Sequence, residues 1–149
     1  MNTSELFEML RRRCGCLYYA VKASDQLPKR MLKRRPAVMI CNVDERHKPG
    51  SHWICIYIDE NNFGEYFDSF GLPPAHVNFT KFLDFHCRGW NFNKRQLQHV
   101  FSDTCGHYCV TYALLRCSGY TLNDVLNCFT IDDFSLNDVI VRDFVINHL

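Results

Sequence analysis

Between Pro36 and Gly71 the chain passes three times from an apolar run to a turn signal, and this stretch restricts the available folds more than any other. Pro36 opens a strand over Ala37–Val43. A polar loop with Pro49-Gly50 leads to a second strand over His52–Asp59. Glu60-Asn61-Asn62-Phe63-Gly64 then turns the chain into a third, Glu65–Ser69, which Gly71-Leu72-Pro73-Pro74 ends. Short connections of this kind make antiparallel neighbours.

Helical patterns stand on both sides of the strands. Thr3–Arg13 has acids in its first turn, arginines in its last and a buried stripe of Leu6, Met9 and Leu10. Thr3 or Ser4 can cap it and Gly15 stops it. Downstream, a short helix is expected near Thr80–His86, a strand around Asn91–Gln98 and a buried helix over Cys105–Cys117. Helices near Leu122–Cys128 and Leu136–His148 follow, the last with Ser135 and Asp138 as a capping box. The expected class is α+β, a mainly antiparallel central sheet flanked by helices in a single domain over residues 1–149. With 149 residues, 47% hydrophobic and 22% charged, the chain can bury one core and leaves little room for a second.

Charge and cysteine usage narrow the function classes. Seventeen Lys and Arg against 16 Asp and Glu give a net +1, which excludes a globally basic coat for nucleic acid. The charge is nevertheless polarised, net +6 over residues 1–35 and net −4 over residues 120–149. Lys29, Arg30, Lys33, Arg34 and Arg35 put five cations in seven positions, a DNA-tracking patch or a solvated basic loop. No apolar run approaches the roughly 18–20 residues of a membrane span. Met1–Arg13, with Glu5, Glu8 and three arginines, does not form a secretory signal. The nine cysteines are therefore expected to be mostly reduced thiols of an intracellular protein, and the core to need no staples. Cys41, Cys55, Cys117 and Cys128 lie in apolar runs, as small hydrophobes do.

Three residues carry the chemistry. His52 and Asp68 are 16 positions apart, directly opposite each other if the turn centres on Glu60. An imidazole and a carboxylate so placed hydrogen-bond, fixing the tautomer and stabilising an imidazolium. Ser102-Asp103-Thr104-Cys105-Gly106 is a polar loop entering an apolar helix, which sets Cys105 at a helix N-terminus. There the free N–H groups favour a thiolate and can hold an oxyanion. A nucleophile, a base and an orienting acid are thus present in the order His, Asp, Cys. A zinc reading of Cys105, His107 and Cys109 with Cys14 and Cys16 lacks a paired C-x-x-C, and no metal or cofactor is expected. His107 and Cys109 read as helix packing residues; His47, His76, His86, His99 and His148 read as ordinary surface histidines.

The segments Ser51-His52-Trp53, Tyr66-Phe67-Asp68-Ser69-Phe70-Gly71 and Gln98, seven positions before Cys105-Gly106-His107-Tyr108-Cys109, resemble the adenovirus protease (adenain) family. The likeness is to the branch of adenovirus-like viruses and polinton-type transposons, and the related ubiquitin-like-protein proteases share the order His, Asp, Gln, Cys-Gly. The resemblance covers most of the chain. It implies Cys105 as nucleophile, His52 as its base, Asp68 (Glu in adenoviral members) as the orienting acid and Gln98 as oxyanion donor, with Gln96 an alternative. Trp53 would be a site wall or a plain core aromatic. It further implies a monomeric cysteine endopeptidase that cleaves capsid or core precursors in the host nucleus or virion, with DNA as a possible activator. The chain is shorter than adenoviral members, chiefly at the C-terminus, and shows no counterpart of the residues that bind their activating peptide. The rival expectations are an isopeptidase for ubiquitin-like tags and a non-catalytic DNA- or capsid-binding module.

Overall fold

The computed structural model describes all 149 residues. Its elements run α1 (Thr3–Arg13), β1 (Tyr18–Ala23), β2 (Ala37–Asn42), β3 (Trp53–Ile58), β4 (Phe63–Phe67), α2 (Val77–His86), β5 (Gly89–Phe92), α3 (Cys105–Cys117), α4 (Leu122–Leu126) and α5 (Phe134–Asn147). The strands form one sheet in chain order. The central pairs β2–β3 and β3–β4 are antiparallel, whereas β1–β2 and β4–β5 are parallel. The α+β class stands, with a mixed sheet in which α2 forms the crossover from β4 to β5. Sequence reading missed β1 because this edge strand buries only Ala20 and so lacks an alternating pattern.

β2 and β3 are apolar on both faces because both faces are covered. Val38, Ile40, Cys55, Tyr57 and Phe67 pack with α1, α3 and α5, while Met39, Ile54, Ile56 and Ile58 pack with Phe79, Phe82 and Leu83 of α2. α3 is buried over most of Cys105–Leu114, so its start is fixed by the core rather than by a loop. Phe67 stacks on Tyr112 with ring centroids 4.4 Å apart. Glu65 accepts a hydrogen bond from the Tyr112 hydroxyl at 2.6 Å and a bidentate pair from Arg116 at 2.9 Å, tying α3 to β4.

Three helix starts differ from expectation. α2 begins at Val77 rather than near Thr80, because His76 caps it through the Asn78 N–H. Asn2, not Thr3 or Ser4, caps α1 and forms a capping box with Glu5. Asp133 caps α5 through the Leu136 N–H; the helix begins at Phe134, so Ser135 lies inside it and Asp138 turns into the core. The cysteines also differ. Cys16 and Cys117 form a disulfide between the segment after α1 and the last residue of α3, leaving seven free cysteines. A pairing across 101 positions has no local sequence signal. Gly15 permits it, since a Cβ there would come within 3.1 Å of the Cys117 carbonyl oxygen.

Candidate active site

His52 stands one residue before β3, and the β3–β4 register runs from Cys55↔Phe67 to Ile58↔Gly64. Continued outward, this register sets His52 opposite Phe70, because the turn centres on Asn61 rather than Glu60. Asn62, at φ 64, absorbs the additional turn residue. Every pair moves by two positions and each side chain keeps its face. Diagonal neighbours still reach: His52 Nε2 lies 2.8 Å from Asp68 Oδ1, and the Phe70 ring stacks on the imidazole at 5.0 Å. Asp68 is buried, and its Oδ1 also accepts the Phe70 N–H at 2.8 Å. Asn93 clamps the Asp68 backbone, accepting its N–H at 3.0 Å and donating to its carbonyl at 2.7 Å.

Cys105 is the first residue of α3, and Thr104 places no side chain on the first-turn N–H groups. Burial raises the Cys105 thiol, but His52 and the backbone N–H groups of Trp53 and Gly106 outweigh it, and the net pKa is lowered. Burial likewise opposes charge on His52, yet hydrogen bonds to Asp68 and Cys105 raise its pKa from 6.5 to about 9. Since Asp68 takes Nε2, Nδ1 is the ring nitrogen left for Cys105. The two shifts favour a thiolate–imidazolium pair. Burial instead pushes up the thiols of Cys14, Cys41, Cys55, Cys87 and Cys109.

Gln98 is buried in the loop before α3, since β5 ends at Phe92 rather than continuing to Gln98. Lys94, at φ 60, breaks the strand. The Leu97 and Gln98 N–H groups both donate to the Ser69 carbonyl, at 2.8 and 3.0 Å. Gly71 makes this approach possible: its φ is +72°, and a Cβ would lie 2.5 Å from the Arg95 carbonyl carbon. The Gln98 amide is fully engaged. Its Oε1 accepts from the Ser69 hydroxyl at 2.6 Å, and its Nε2 donates to the Ser102 carbonyl and hydroxyl at 2.9 and 3.1 Å. An oxyanion therefore gains Gln98 as a donor only by displacing a Ser102 oxygen. Gln96, the alternative, donates to the Gln98 carbonyl instead.

These residues share a cleft of about 910 Å³ whose lining includes His52, Trp53, Phe70, Gln98, Ser102 and Cys105. Trp53 lies between Gly106 and the Met1 carbonyl, to which its Nε1 donates at 3.2 Å, so it is a wall of the cleft. The basic run lies outside the cleft. Lys29, Arg30, Lys33 and Arg34 are exposed, while Arg35 is half-buried and bonded to Leu32 and Asn62. His86 is not a surface histidine. It is buried beneath that run, with ring nitrogens 3.0 Å from the Phe82 carbonyl and 3.2 Å from that of Arg30. His76 caps α2. The cysteines that gather are Cys14, Cys16 and Cys117, within 4.8 Å of one another, and the disulfide leaves Cys14 as their one thiol. Asn93 and Asp138 escaped sequence reading because their partners Asp68 and Thr104 lie 25 and 34 positions away, while Phe70 and Ser102 stood inside the quoted motifs without an assigned contact.

No protein-family model matches the chain. A fold of the same outline occurs in the solved structure of the central domain of an uncharacterized Legionella pneumophila protein, with a TM-score of 0.54 and 15% identity over 100% of this chain and 98% of that one. The crystal structure of the ASFV protease aligns over 70% of this chain and 43% of that one, with a TM-score of 0.47 and 20% identity. In sequence the chain is 30% identical, over 98 residues, to an Acanthamoeba polyphaga mimivirus protein provisionally named a thiol protease. That match takes in 59% of this chain and 32% of the mimivirus protein, so the chain spans about a third of the curated relative it matches. The sequence is thus similar to part of a viral protein provisionally named a thiol protease, and the fold is shared over its whole length with a bacterial domain.

Proposed function

We propose that the chain is a cysteine endopeptidase. One observation carries the reading: a single cleft holds a thiol with lowered pKa at a helix start and an imidazole raised to about 9 beside a buried carboxylate. In the reaction the Cys105 thiolate attacks the scissile carbonyl carbon, forming a C–S bond and an oxyanion. The Cys105 N–H and a Gln98 amide hydrogen, which exchanges a Ser102 oxygen for the oxyanion, hold that charge. The His52 imidazolium gives its proton to the departing amine as the C–N bond breaks, leaving a thioester. Neutral His52 then takes a proton from water, whose oxygen attacks the thioester and releases the acid and the thiolate. Asp68 keeps the ring oriented throughout.

The mimivirus relative supports a viral setting, and we place the substrates among structural precursor proteins of a virus or virus-like element. The four exposed cations Lys29, Arg30, Lys33 and Arg34 suit a polyanion. Duplex DNA is expected to bind them with an affinity that falls as salt rises. The peptidase reading is tested on a proteome-derived peptide library, with product termini identified by mass spectrometry. Wild type is expected to generate new N-termini that Cys105→Ala does not. Identical products from both proteins would overturn the reading, and release of side-chain-linked tags without backbone cleavage would make the chain an isopeptidase.

A further inference from the structure

Where α1 ends, three sulfurs meet, and none of them lines the cleft. Cys14 caps the C-terminus of α1, Cys16 follows one glycine later, and Cys117 is the last residue of α3. Cys16 and Cys117 are bridged, and the free Cys14 Sγ lies 3.2 Å from the Cys117 Sγ. A nucleophile is thus in contact with the disulfide that it can attack. The attacking species is the thiolate. Burial raises the Cys14 thiol, and the Cys16 N–H, 3.4 Å from Cys14 Sγ, works against that rise. Cys14 is only half-buried, so its proton can pass to water.

The chain around the sulfurs can follow such a change. The Cys14 N–H is anchored to the Leu10 carbonyl at 2.8 Å, and the Leu17 N–H to the Pro36 carbonyl at 3.0 Å. Between these anchors the Cys16 N–H reaches only the Cys14 sulfur, and exposed Gly15 has no side chain to hold the segment. A bridge to Cys117 spans 103 positions from Cys14 and 101 from Cys16, so loop closure favours neither. The two bridges differ in what they fasten to α3. Cys14 ties down the end of α1 itself, whereas Cys16 ties down the segment leading into β1.

We propose that Cys14, Cys16 and Cys117 form a thiol–disulfide exchange site, in which the bridge to Cys117 passes between Cys16 and Cys14. The Cys14 thiolate attacks Cys117 Sγ. The S–S bond from Cys14 to Cys117 forms as that from Cys117 to Cys16 breaks, and Cys16 leaves as a thiolate that takes up the proton Cys14 released. Nothing is oxidised or reduced overall, so no co-reactant is consumed. The exchange moves the free thiol from half-exposed Cys14 to the position of Cys16, 6% exposed, and withdraws it from external thiols and oxidants. The site does not involve Cys105 and stands or falls apart from the peptidase reading.

A differential-alkylation map tests the proposal. Wild type is quenched in acid, alkylated under denaturing conditions with a light maleimide, then reduced, alkylated with a heavy maleimide and read by mass spectrometry. Heavy label is expected at Cys117 and divided between Cys14 and Cys16. Cys16→Ser, refolded in a glutathione redox buffer, is expected to carry heavy label at Cys14 and Cys117, and its urea midpoint to fall on addition of reductant as that of wild type does. In Cys14→Ser the heavy label should lie on Cys16 and Cys117. Heavy label on Cys16 and Cys117 alone in wild type would overturn the exchange, as would a Cys16→Ser protein whose Cys117 carries only light label. If Cys16→Ser does not fold, the wild-type map decides by itself.

Discussion

Replacing Asp68 by alanine isolates the electrostatics of the cleft. The His52 pKa rises from 6.5 to about 9 even though burial opposes its charge. That rise corresponds to about 3 kcal/mol of preference for the imidazolium. Asp68 and Cys105 supply it together, so loss of Asp68 alone should remove at least about 1.4 kcal/mol, one pH unit. The sign follows from the chemistry. The imidazolium must protonate the leaving amine, so activity falls as pH rises through the His52 pKa; the thiolate must attack, so activity falls as pH drops through the Cys105 pKa. Wild type should give a bell in kcat/KM whose alkaline limb lies near 9. In Asp68→Ala the alkaline limb should come below about 8 and the acid limb should move up, because the thiolate has lost imidazolium character beside it. Asp68→Asn keeps an acceptor for His52 and for the Phe70 N–H, and should therefore retain more activity than alanine with a similarly narrowed bell. The assay is kcat/KM against pH on a single cleaved peptide. An alkaline limb that stays near 9 in folded Asp68→Ala would refute the assignment of the shift.

Other expectations are structural. Gly71→Ala combines a φ of +72° with a Cβ 2.5 Å from the Arg95 backbone, so it should cost about 2 kcal/mol or more and lower kcat by displacing Gln98, read by urea unfolding and peptide turnover. Reduction of Cys16–Cys117, which closes a separation of 101 positions, should lower stability by about 2–5 kcal/mol, seen as a drop in the urea midpoint with reductant; an unchanged midpoint would deny the bridge a stabilising role. Phe67→Ala, which removes a buried ring stacked on Tyr112, should cost about 3–5 kcal/mol in the same measurement.

The site was more legible in the sequence than the fold that holds it. Cys105 could be placed at a helix start because a polar loop gives way there to an apolar run, and that boundary is local. His52 and Asp68 could be paired because a two-position change of register preserves the face of each side chain; an odd slip would have separated them. The parallel pairing of β1 and β5 was hidden, since nothing in Tyr18–Ala23 or Gly89–Phe92 encodes the neighbour each strand will find. Asp138 shows the same limit. Its sequence neighbourhood suited a capping box, and only the packing of α5 on α3 turns the carboxyl toward Thr104.

The thiolate–imidazolium pair is tested most directly by the rate of Cys105 alkylation against pH, followed by mass spectrometry in wild type and in His52→Ala. The other cysteines of the same molecule serve as controls. Cys105 is expected to react fast well below the free-thiol pKa of about 8.5, and His52→Ala to abolish that advantage. A Cys105 that titrates with its buried neighbours, or one whose profile is unchanged in His52→Ala, would contradict the pair and the peptidase built on it.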